Sequence, residues 1–254
     1  MRIVALINDT RLAPDTDETF EALAPNAQGA LNWSLALANT DDEVIALTAG
    51  PAANDAILRD ALDRGADRAI RVWVPPEDET TLDNNVRGIS ELLAATIRDL
   101  SNVDLILCGY RSTDWGTGIT GPATAFVLDI PHLSQISEIV HAEDPFPSSE
   151  APPENQRPRE HRLIATQDRN DRSLRCEMRL PALLTIVEGP TVSPDRPRRP
   201  DATVELIHAD EVGFEADDPL PWPSMPIEPA PHDPRLDDSP ETLVDIPSKS
   251  GLPR

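Results

Sequence analysis

Apolar and polar positions along the first 131 residues alternate between two patterns, one typical of buried strands and one typical of helices. Continuous apolar runs predict strands covered on both faces at 3–7, 43–48, 68–74 and 104–108. Apolar residues spaced three or four apart predict helices over 26–38, from about Ile57 to a C-cap at Gly65, and over 86–100. Strands that alternate with helices favour an α/β fold with an open, mostly parallel sheet and helices on both faces.

Beyond residue 131 the pattern changes from alternating strands and helices to strands alone. Strand-like runs over 132–141, 161–166 and 173–187 predict a small mixed or antiparallel β extension to the sheet. From residue 189 onward prolines recur every few residues and acidic side chains dominate, a composition that cannot build a core of its own. We therefore expect an α/β domain over 1–188 and an extended, Pro-rich acidic C-terminal arm over 189–254.

The charge balance excludes one class of partner. Lys and Arg together number 22 and Asp and Glu 45, so the formal net charge is −23. A nucleic-acid backbone repels such a surface, and we expect no binding of DNA or RNA. Lys249 is the single lysine, and the acidic, lysine-poor composition fits either a salt-rich cytoplasm or an arginine-biased genome combined with an acidic tail.

Neither a membrane span nor a metal site is predicted. No apolar run approaches the roughly 20 residues that cross a bilayer, and the first apolar run lacks a small-residue cleavage site, so we expect a cytoplasmic protein that is not integral to a membrane. Cys108 and Cys176 lie far apart and are expected as two reduced thiols or as one disulfide. The histidines are scattered singly, without the spacing of metal ligands.

A glycine-rich segment, CGYRSTDWGTGITGPATAFVLDIP at 108–131, follows the fourth predicted strand. Gly116, Gly118 and Gly121 let the backbone approach a ligand closely, and 118–129 predicts a helix whose first amides have no intrahelical partner. Thr117 and Thr120 add hydroxyl donors, so this helix start is a candidate phosphate site. A plain turn is the alternative, because in the dinucleotide fingerprint the glycines follow the first strand and not the fourth.

Two side chains of this loop have open roles. Asp114 either hydrogen-bonds loop amides or a ribose, or takes part in catalysis. No second carboxylate or nucleophile accompanies it, so we predict no catalytic residue. Trp115 is either a lid over a ligand or an anchor at a protein interface.

Five stretches together resemble one family. They are TAGPA at 48–52, RDALDRGADR at 59–68, VDLILCG at 103–109, STDWGTGITG at 112–121 and LPALLTI at 180–186. In this order and spacing they resemble the β subunit of electron transfer flavoprotein, over about residues 1–187. The resemblance implies an adenine-nucleotide-binding fold of the Rossmann-like type.

The resemblance also implies a function and cofactors. The family's β subunit pairs with an α subunit that carries FAD, and the heterodimer passes electrons from flavin-dependent dehydrogenases toward a quinone reductase or respiratory chain. It is an electron carrier subunit more than an enzyme with a substrate of its own. The β subunit holds AMP in most members and a second FAD in electron-bifurcating members, and whether this chain holds AMP, FAD or nothing stays open.

The family's nucleotide pocket, carried over by position, implies a set of cofactor-binding residues. These are Leu6, Asn26, Ala27, Gln28, Gly29, Ala49, Gly109, Arg111, Ser112, Asp114, Trp115, Gly116, Thr117, Gly118, Ile119 and Thr120. The backbone amides of Gly118, Ile119 and Thr120 would cradle the phosphate. The chain departs from the family at 26–28, where the aromatic that leans toward the flavin is missing, and after Val187, where a recognition loop and a lysine-rich helix are missing.

A different class of protein shares this broad architecture, namely a free-standing adenine-nucleotide sensor of the universal-stress type. That family's glycine pattern is not met after Gly118. An adenylating enzyme of similar architecture requires a Ser-Gly-Gly-x-Asp-like loop where this chain reads NDTRL at 8–12. The electron-transfer subunit is therefore the preferred interpretation and the sensor is the alternative.

Overall fold

The computed structural model describes residues 1–7, 23, 25–73, 86–111, 117–142, 162–169, 172–190, 196–199 and 201–214. All of them belong to the first of two compact units, which comprises residues 1–219. The second unit, residues 220–254, lies wholly outside the described residues.

Ten strands lie within the described residues, and seven of them form one sheet. In chain order the ten are β1 (Arg2–Leu6), β2 (Glu43–Ala49), β3 (Arg68–Trp73), β4 (Leu105–Gly109), β5 (His132–Ile136), β6 (Glu138–His141), β7 (Arg162–Arg169), β8 (Arg172–Arg179), β9 (Ala182–Ile186) and β10 (Glu205–His208). The large sheet has the order β10-β3-β2-β1-β4-β9-β5, and every neighbouring pair in it is parallel. The predicted open parallel sheet is confirmed.

Helices cover both faces of this sheet. They are α1 (Pro25–Leu37), α2 (Asp55–Arg64), α3 (Val86–Leu100) and α4 (Thr120–Leu128), with short 3₁₀ turns at Ala52–Asn54 and Ala209–Val212. The predicted C-cap of α2 is confirmed, because Gly65 has φ 112°, a conformation that glycine adopts without the Cβ penalty. No helix in the described part of the chain is long and apolar enough to cross a membrane.

The core explains why residues 3–7, which comprise most of β1 and the residue after it, are all apolar. On β1, Val4 and Leu6 face the cluster under α3 and α4, whereas Ala5 and Ile7 face the cluster under α1 and α2. All four side chains are essentially inaccessible to solvent. Because successive side chains of a strand point to opposite faces, a strand covered twice has no polar position.

Two of the predicted strand-like runs are each divided between two sheets. The run 132–141 becomes β5 in the large sheet and β6 in a small antiparallel sheet of order β6-β7-β8. The run 173–187 likewise becomes β8 in the small sheet and β9 in the large one. The first division falls at Ser137, two residues after Gln135, whose backbone is left-handed. The second falls at Leu180 and Pro181, and Pro181 has no amide to donate to a strand partner. The antiparallel extension therefore consists of β6, β7 and β8 alone.

The stretch 205–214 differs from our expectation for the C-terminal arm. Strand β10 pairs in parallel with β3, and Arg68 donates two hydrogen bonds to Glu205, at 2.7 and 2.6 Å. Val212 and Phe214 pack against the buried cluster under α3. The stretch 205–214 therefore contributes to the sheet and its core, although the composition from residue 189 onward cannot build a core of its own. The boundary at residue 188 otherwise stays a prediction.

Arginines anchor the segment that leads into β10. Arg196 donates to the backbone oxygens of Asn39 and Asp42 and, at 2.6 Å, to the carboxylate of Asp67. Arg199 donates to the other oxygen of Asp67 at 3.0 Å. These bonds tie 196–199 to the end of the sheet where the strands begin, so the two arginines serve the fold of this chain.

Candidate functional site

The order of the strands creates a crevice between β1 and β4. From β1 the chain proceeds outward through β2 and β3, whereas from β4 the sheet continues in the opposite direction through β9 and β5. In open α/β sheets ligands bind outside the carboxyl ends of the strands at such a switch point. Leu6 ends β1 and Gly109 ends β4, so both lie at the edge where a ligand is expected.

The start of α1 lies directly against the end of β4. A Cβ added to Gly109 would come within 2.9 Å of the Asn26 Cβ and 3.2 Å of the Ala27 nitrogen, so only glycine permits this approach. The Asn26 side chain donates a hydrogen bond from Nδ2 to the backbone oxygen of Arg111 at 2.7 Å. Asn26 thereby fastens the glycine-rich loop to α1. Gln28 follows on the same first turns of the helix.

Gly29 lies against the chain that follows β9. A Cβ on Gly29 would lie 3.0 Å from the nitrogen of Gly189, and one on Gly189 would lie 2.5 Å from the Gly29 Cα. The two glycines let α1 cross the chain just after β9 at close range. Trp33 secures that crossing by donating from Nε1 to the backbone oxygen of Glu188 at 2.8 Å. Gly29 therefore acts in packing.

Tyr110 and Gly118, on either side of the glycine-rich loop, meet just before α4. Gly118 has φ 64°, and a Cβ on it would lie 2.7 Å from the backbone oxygen of Tyr110. Tyr110 is itself held by its amide, which donates to the Ile186 oxygen of β9 at 2.8 Å. The predicted need for glycine at position 118 is confirmed. Ser112, Asp114, Trp115 and Gly116 lie outside the described residues.

Helix α4 begins two residues later than the sequence predicted, at Thr120 with Ile119 as its N-cap. Among the described residues no side chain caps this end, and its first amides have no intrahelical acceptor. A Cβ on Gly121 would lie 2.9 Å from Thr185 Cγ2 of β9, which shows how closely the helix start approaches the edge of the sheet. Thr117 and Ile119 are exposed beside it. This is a geometry that binds anions.

The end of β2 forms the other flank of the crevice. Ala49 ends that strand, and Gly50 follows with φ 151° and an amide bonded to the Val72 oxygen at 3.0 Å. The buried Arg71 donates to Asp55 at 2.6 Å and to the Gly50 oxygen at 3.4 Å. The loop after β2 is thus rigidly supported from β3.

Charge at the site is sparse. Arg111 is the only basic residue between Gly109 and Leu128, and its guanidinium carbon lies 5.1 Å from the centroid of the Tyr110 ring. Burial raises the pKa of the Cys108 thiol to about 12, so the thiol is neutral and takes no part as a thiolate. The described residues contain no cluster of three or more side chains that suits a metal ion.

Two residues at the site were missed by sequence reasoning. Tyr110 accepts a hydrogen bond at 2.7 Å on its hydroxyl from the side chain of Gln135 in β5. The two residues lie 25 positions apart, and nothing in the local pattern pairs them. A tyrosine directly after a buried strand was the one available signal, because such a ring often has a polar partner.

The fold defines a Rossmann-like α/β protein, and the β1/β4 switch point is its candidate ligand position. The chain belongs to the electron transfer flavoprotein family, since the family model described as electron transfer flavoprotein domain matches residues 16–210. That match includes β10 and so extends beyond the region over which the sequence motifs carry the resemblance.

Curated relatives agree with the family. The chain is similar to an electron transfer flavoprotein subunit beta from Methylophilus methylotrophus, 26% identical over 71% of this chain and 63% of that protein. It is similar to the human protein of the same name, 31% identical over 54% of this chain and 56% of the human one. A caffeyl-CoA reductase-Etf complex subunit from Acetobacterium woodii is 29% identical over 52% of each chain. The match thus spans between half and two thirds of each relative.

Proposed function

We propose that this chain is the β subunit of a heterodimeric electron transfer flavoprotein, with AMP held at the β1/β4 crevice. In this role the heterodimer passes electrons from a flavin-dependent dehydrogenase toward a quinone reductase or the respiratory chain. The observation that carries the proposal is a crevice built with glycine, at the switch point of the sheet, in a chain of this family.

The chemistry of the crevice suits a nucleoside monophosphate. Gly109 and Gly118 occur where a Cβ would collide with Asn26 and Tyr110, so they let the start of α1 and the loop before α4 pack closely around the crevice. The start of α4 offers amides, and Arg111 offers one cation. The start of α4 and the cation of the glycine-rich segment together suit the one phosphate group of a nucleoside monophosphate. For this reason we assign AMP to the crevice.

The flavin belongs mainly to the α subunit in this proposal. The aromatic residue that the family places near Asn26 is absent, because the chain reads NAQ at 26–28. The Acetobacterium woodii relative is named as a subunit of a caffeyl-CoA reductase-Etf complex. By analogy, a flavin-dependent dehydrogenase is the redox partner that we propose for this chain.

The test is co-purification of subunit, flavin and nucleotide. The chain is expressed with a tag, alone and together with an electron transfer flavoprotein α subunit, and nucleotides are extracted from the denatured protein and identified by mass spectrometry. We expect the chain alone to be colourless and to carry AMP. The pair is expected to be yellow and to contain FAD and AMP in equal amounts.

A different result would refute each part of the proposal. An α subunit that does not co-purify would refute the assignment as its partner. Stoichiometric FAD on the isolated chain would mean that the crevice is the second flavin site found in electron-bifurcating members of the family. A purified heterodimer that contains FAD but no AMP would refute the AMP assignment and leave the subunit assignment intact.

A further inference from the structure

Gln135 in β5 combines a strained backbone with two specific hydrogen bonds. Its φ of 60° lies in the left-handed region that residues other than glycine rarely adopt, and the pairing of β5 with β9 shifts register around it. Its amide donates to the hydroxyl of the buried Thr185 at 3.1 Å, and its Nε2 donates to the hydroxyl of Tyr110 at 2.7 Å. Strained residues that their surroundings hold in place cluster at functional sites.

The Tyr110 ring in turn supports Arg111. The guanidinium lies 5.1 Å from the ring centroid, within the distance of a cation–π interaction. The side chain of Arg111 runs beside Gly118, since its Cγ lies 3.9 Å from the position of a Cβ on that glycine. Gly118 precedes α4 by two residues, so the cation is held close to the start of that helix.

The charge of the whole chain makes this cation important. The formal net charge is −23, and Arg111 is the only basic residue between Gly109 and Leu128. This cation adds a positive charge to the backbone amides and hydroxyls that the described start of α4 offers a phosphate. A guanidinium adds a charge-assisted hydrogen bond, which is about twice as strong as a neutral one.

We infer that Gln135 is a positioning residue for nucleotide binding. Its side chain fixes the Tyr110 ring, the ring holds the Arg111 guanidinium beside the start of α4, and the guanidinium pairs with the phosphate of the nucleotide. The inference rests on the proposed function, because it places a nucleoside monophosphate in the crevice. It adds a contribution from β5, the edge strand of the sheet.

The experiment compares AMP with adenosine, which lacks the phosphate, by calorimetric titration of the full chain after bound nucleotide has been removed. Arg111→Gln should weaken AMP binding about tenfold or more, because a hydrogen bond to a charged group is lost. Gln135→Gly should weaken it about fivefold, as expected for a neutral hydrogen bond. Tyr110→Phe removes only the hydroxyl and should match Gln135→Gly. Adenosine binding should be unchanged in all three variants.

Asp129→Gly is the matched control. Asp129 has φ 58°, is exposed and ends α4, so glycine relieves the same backbone strain there without touching Tyr110. Both glycine variants should keep the thermal midpoint of the wild type or raise it, because the native backbone conformation favours glycine. AMP affinity should fall in Gln135→Gly alone. A purely structural role for Gln135 predicts the reverse, a lower midpoint with equal losses for AMP and adenosine.

The outcomes separate this inference from the proposed function. If the wild type binds AMP, and Gln135→Gly and Tyr110→Phe bind it with the same affinity, the inference is overturned and the proposed function is left intact. A wild-type chain that binds neither AMP nor adenosine overturns both. Should Gln135→Gly not fold, Tyr110→Phe alone gives the answer, because it keeps the backbone of β5 unaltered.

Discussion

Gly118 and Gly213 have the same backbone conformation in different surroundings, which allows the role of Gly118 to be isolated. Their φ angles are 64° and 71°. A Cβ on Gly118 would lie 2.7 Å from the Tyr110 oxygen, whereas one on Gly213 would meet nothing within 4 Å. Alanine at either position costs about 1–2 kcal/mol in backbone strain. Only at position 118 must the loop at the crevice also move.

We therefore predict that Gly118→Ala empties the crevice and that Gly213→Ala does not. Thermal unfolding should show a lower midpoint for Gly118→Ala than for Gly213→Ala, because the collision adds to the strain that both share. Nucleotide content is measured by extraction from the denatured protein. Stoichiometric nucleotide in Gly118→Ala would show that the close approach of Tyr110 and Gly118 does not shape the site.

At the scale of residues, the sequence predicts the conformation of glycines better than the pairing of side chains. The roles of Gly65 and Gly118 were readable, because few other residues adopt a positive φ without strain. The pair of Tyr110 and Gln135 was not, because it depends on the order of strands β4, β9 and β5. Gly29 and Gly189 likewise meet through tertiary packing. Local patterns contain no information on such contacts.

At the scale of elements, the attachment of β10 to β3 depends on an ion pair. Arg68 and Glu205 form two short hydrogen bonds, and Arg68 also lies 3.6 Å from Glu43 of β2. The hydrogen bond from Arg68 holds the pKa of Glu205 below its ordinary value, and the same bond raises the pKa of Arg68. Both groups are thus stabilised in their charged forms at the edge of the sheet.

We predict that Glu205→Gln lowers the free energy of unfolding by about 1 kcal/mol at pH 7, a value that allows for the partial exposure of the pair. A lowered carboxyl pKa stabilises the fold above the unfolded value of about 4.3, and this contribution is lost as the pH falls through the lower folded value. The difference from wild type in urea unfolding should therefore shrink below about pH 4.

Glu91→Gln is a suitable control for this prediction. Glu91 pairs with Arg87 one turn away on α3, at 2.6 Å and with an exposure similar to that of the Arg68–Glu205 pair. Such a pair contributes only about 0.3–0.5 kcal/mol. A Glu205→Gln effect as small as that of Glu91→Gln would mean that backbone pairing alone attaches β10. An effect independent of pH would show that the charge of Glu205 is not its source.

The sequence predicts elements well where they are buried on both faces and poorly where they are short. Strands β1 to β4 and helix α3 stand out because their apolar patterns are continuous or strictly periodic. Strand β10 has four residues in an acidic, Pro-rich stretch, so its alternating burial was too short to distinguish from isolated apolar anchors. Its place was set by Arg68 and by the open edge of β3.

At the scale of the whole molecule, the described structure moves the boundary at which the proposed arm begins. Val212 and Phe214 pack against the core cluster, so a truncation that removes them damages the domain itself. Residues 215–254 lie outside the described residues. Their sequence retains isolated apolar side chains among acidic residues and prolines: Trp222, Met225, Ile227, Leu243, Val244 and Ile246. We propose that this segment packs on the α subunit.

We predict that a chain ending at Phe214 stays folded and loses its partner, whereas a chain ending at residue 211 loses stability as well. Removing the two partly buried apolar side chains should cost about 1–3 kcal/mol of unfolding free energy. Urea unfolding measures this difference, and co-purification with the α subunit at matched salt measures assembly. If the chain ending at Phe214 still forms the heterodimer in unchanged yield, residues 215–254 are a solubilising tail. If the chain ending at Phe214 keeps the urea midpoint of the wild type but no longer assembles with the α subunit, residues 215–254 lie at the interface, because nothing else in the domain has changed.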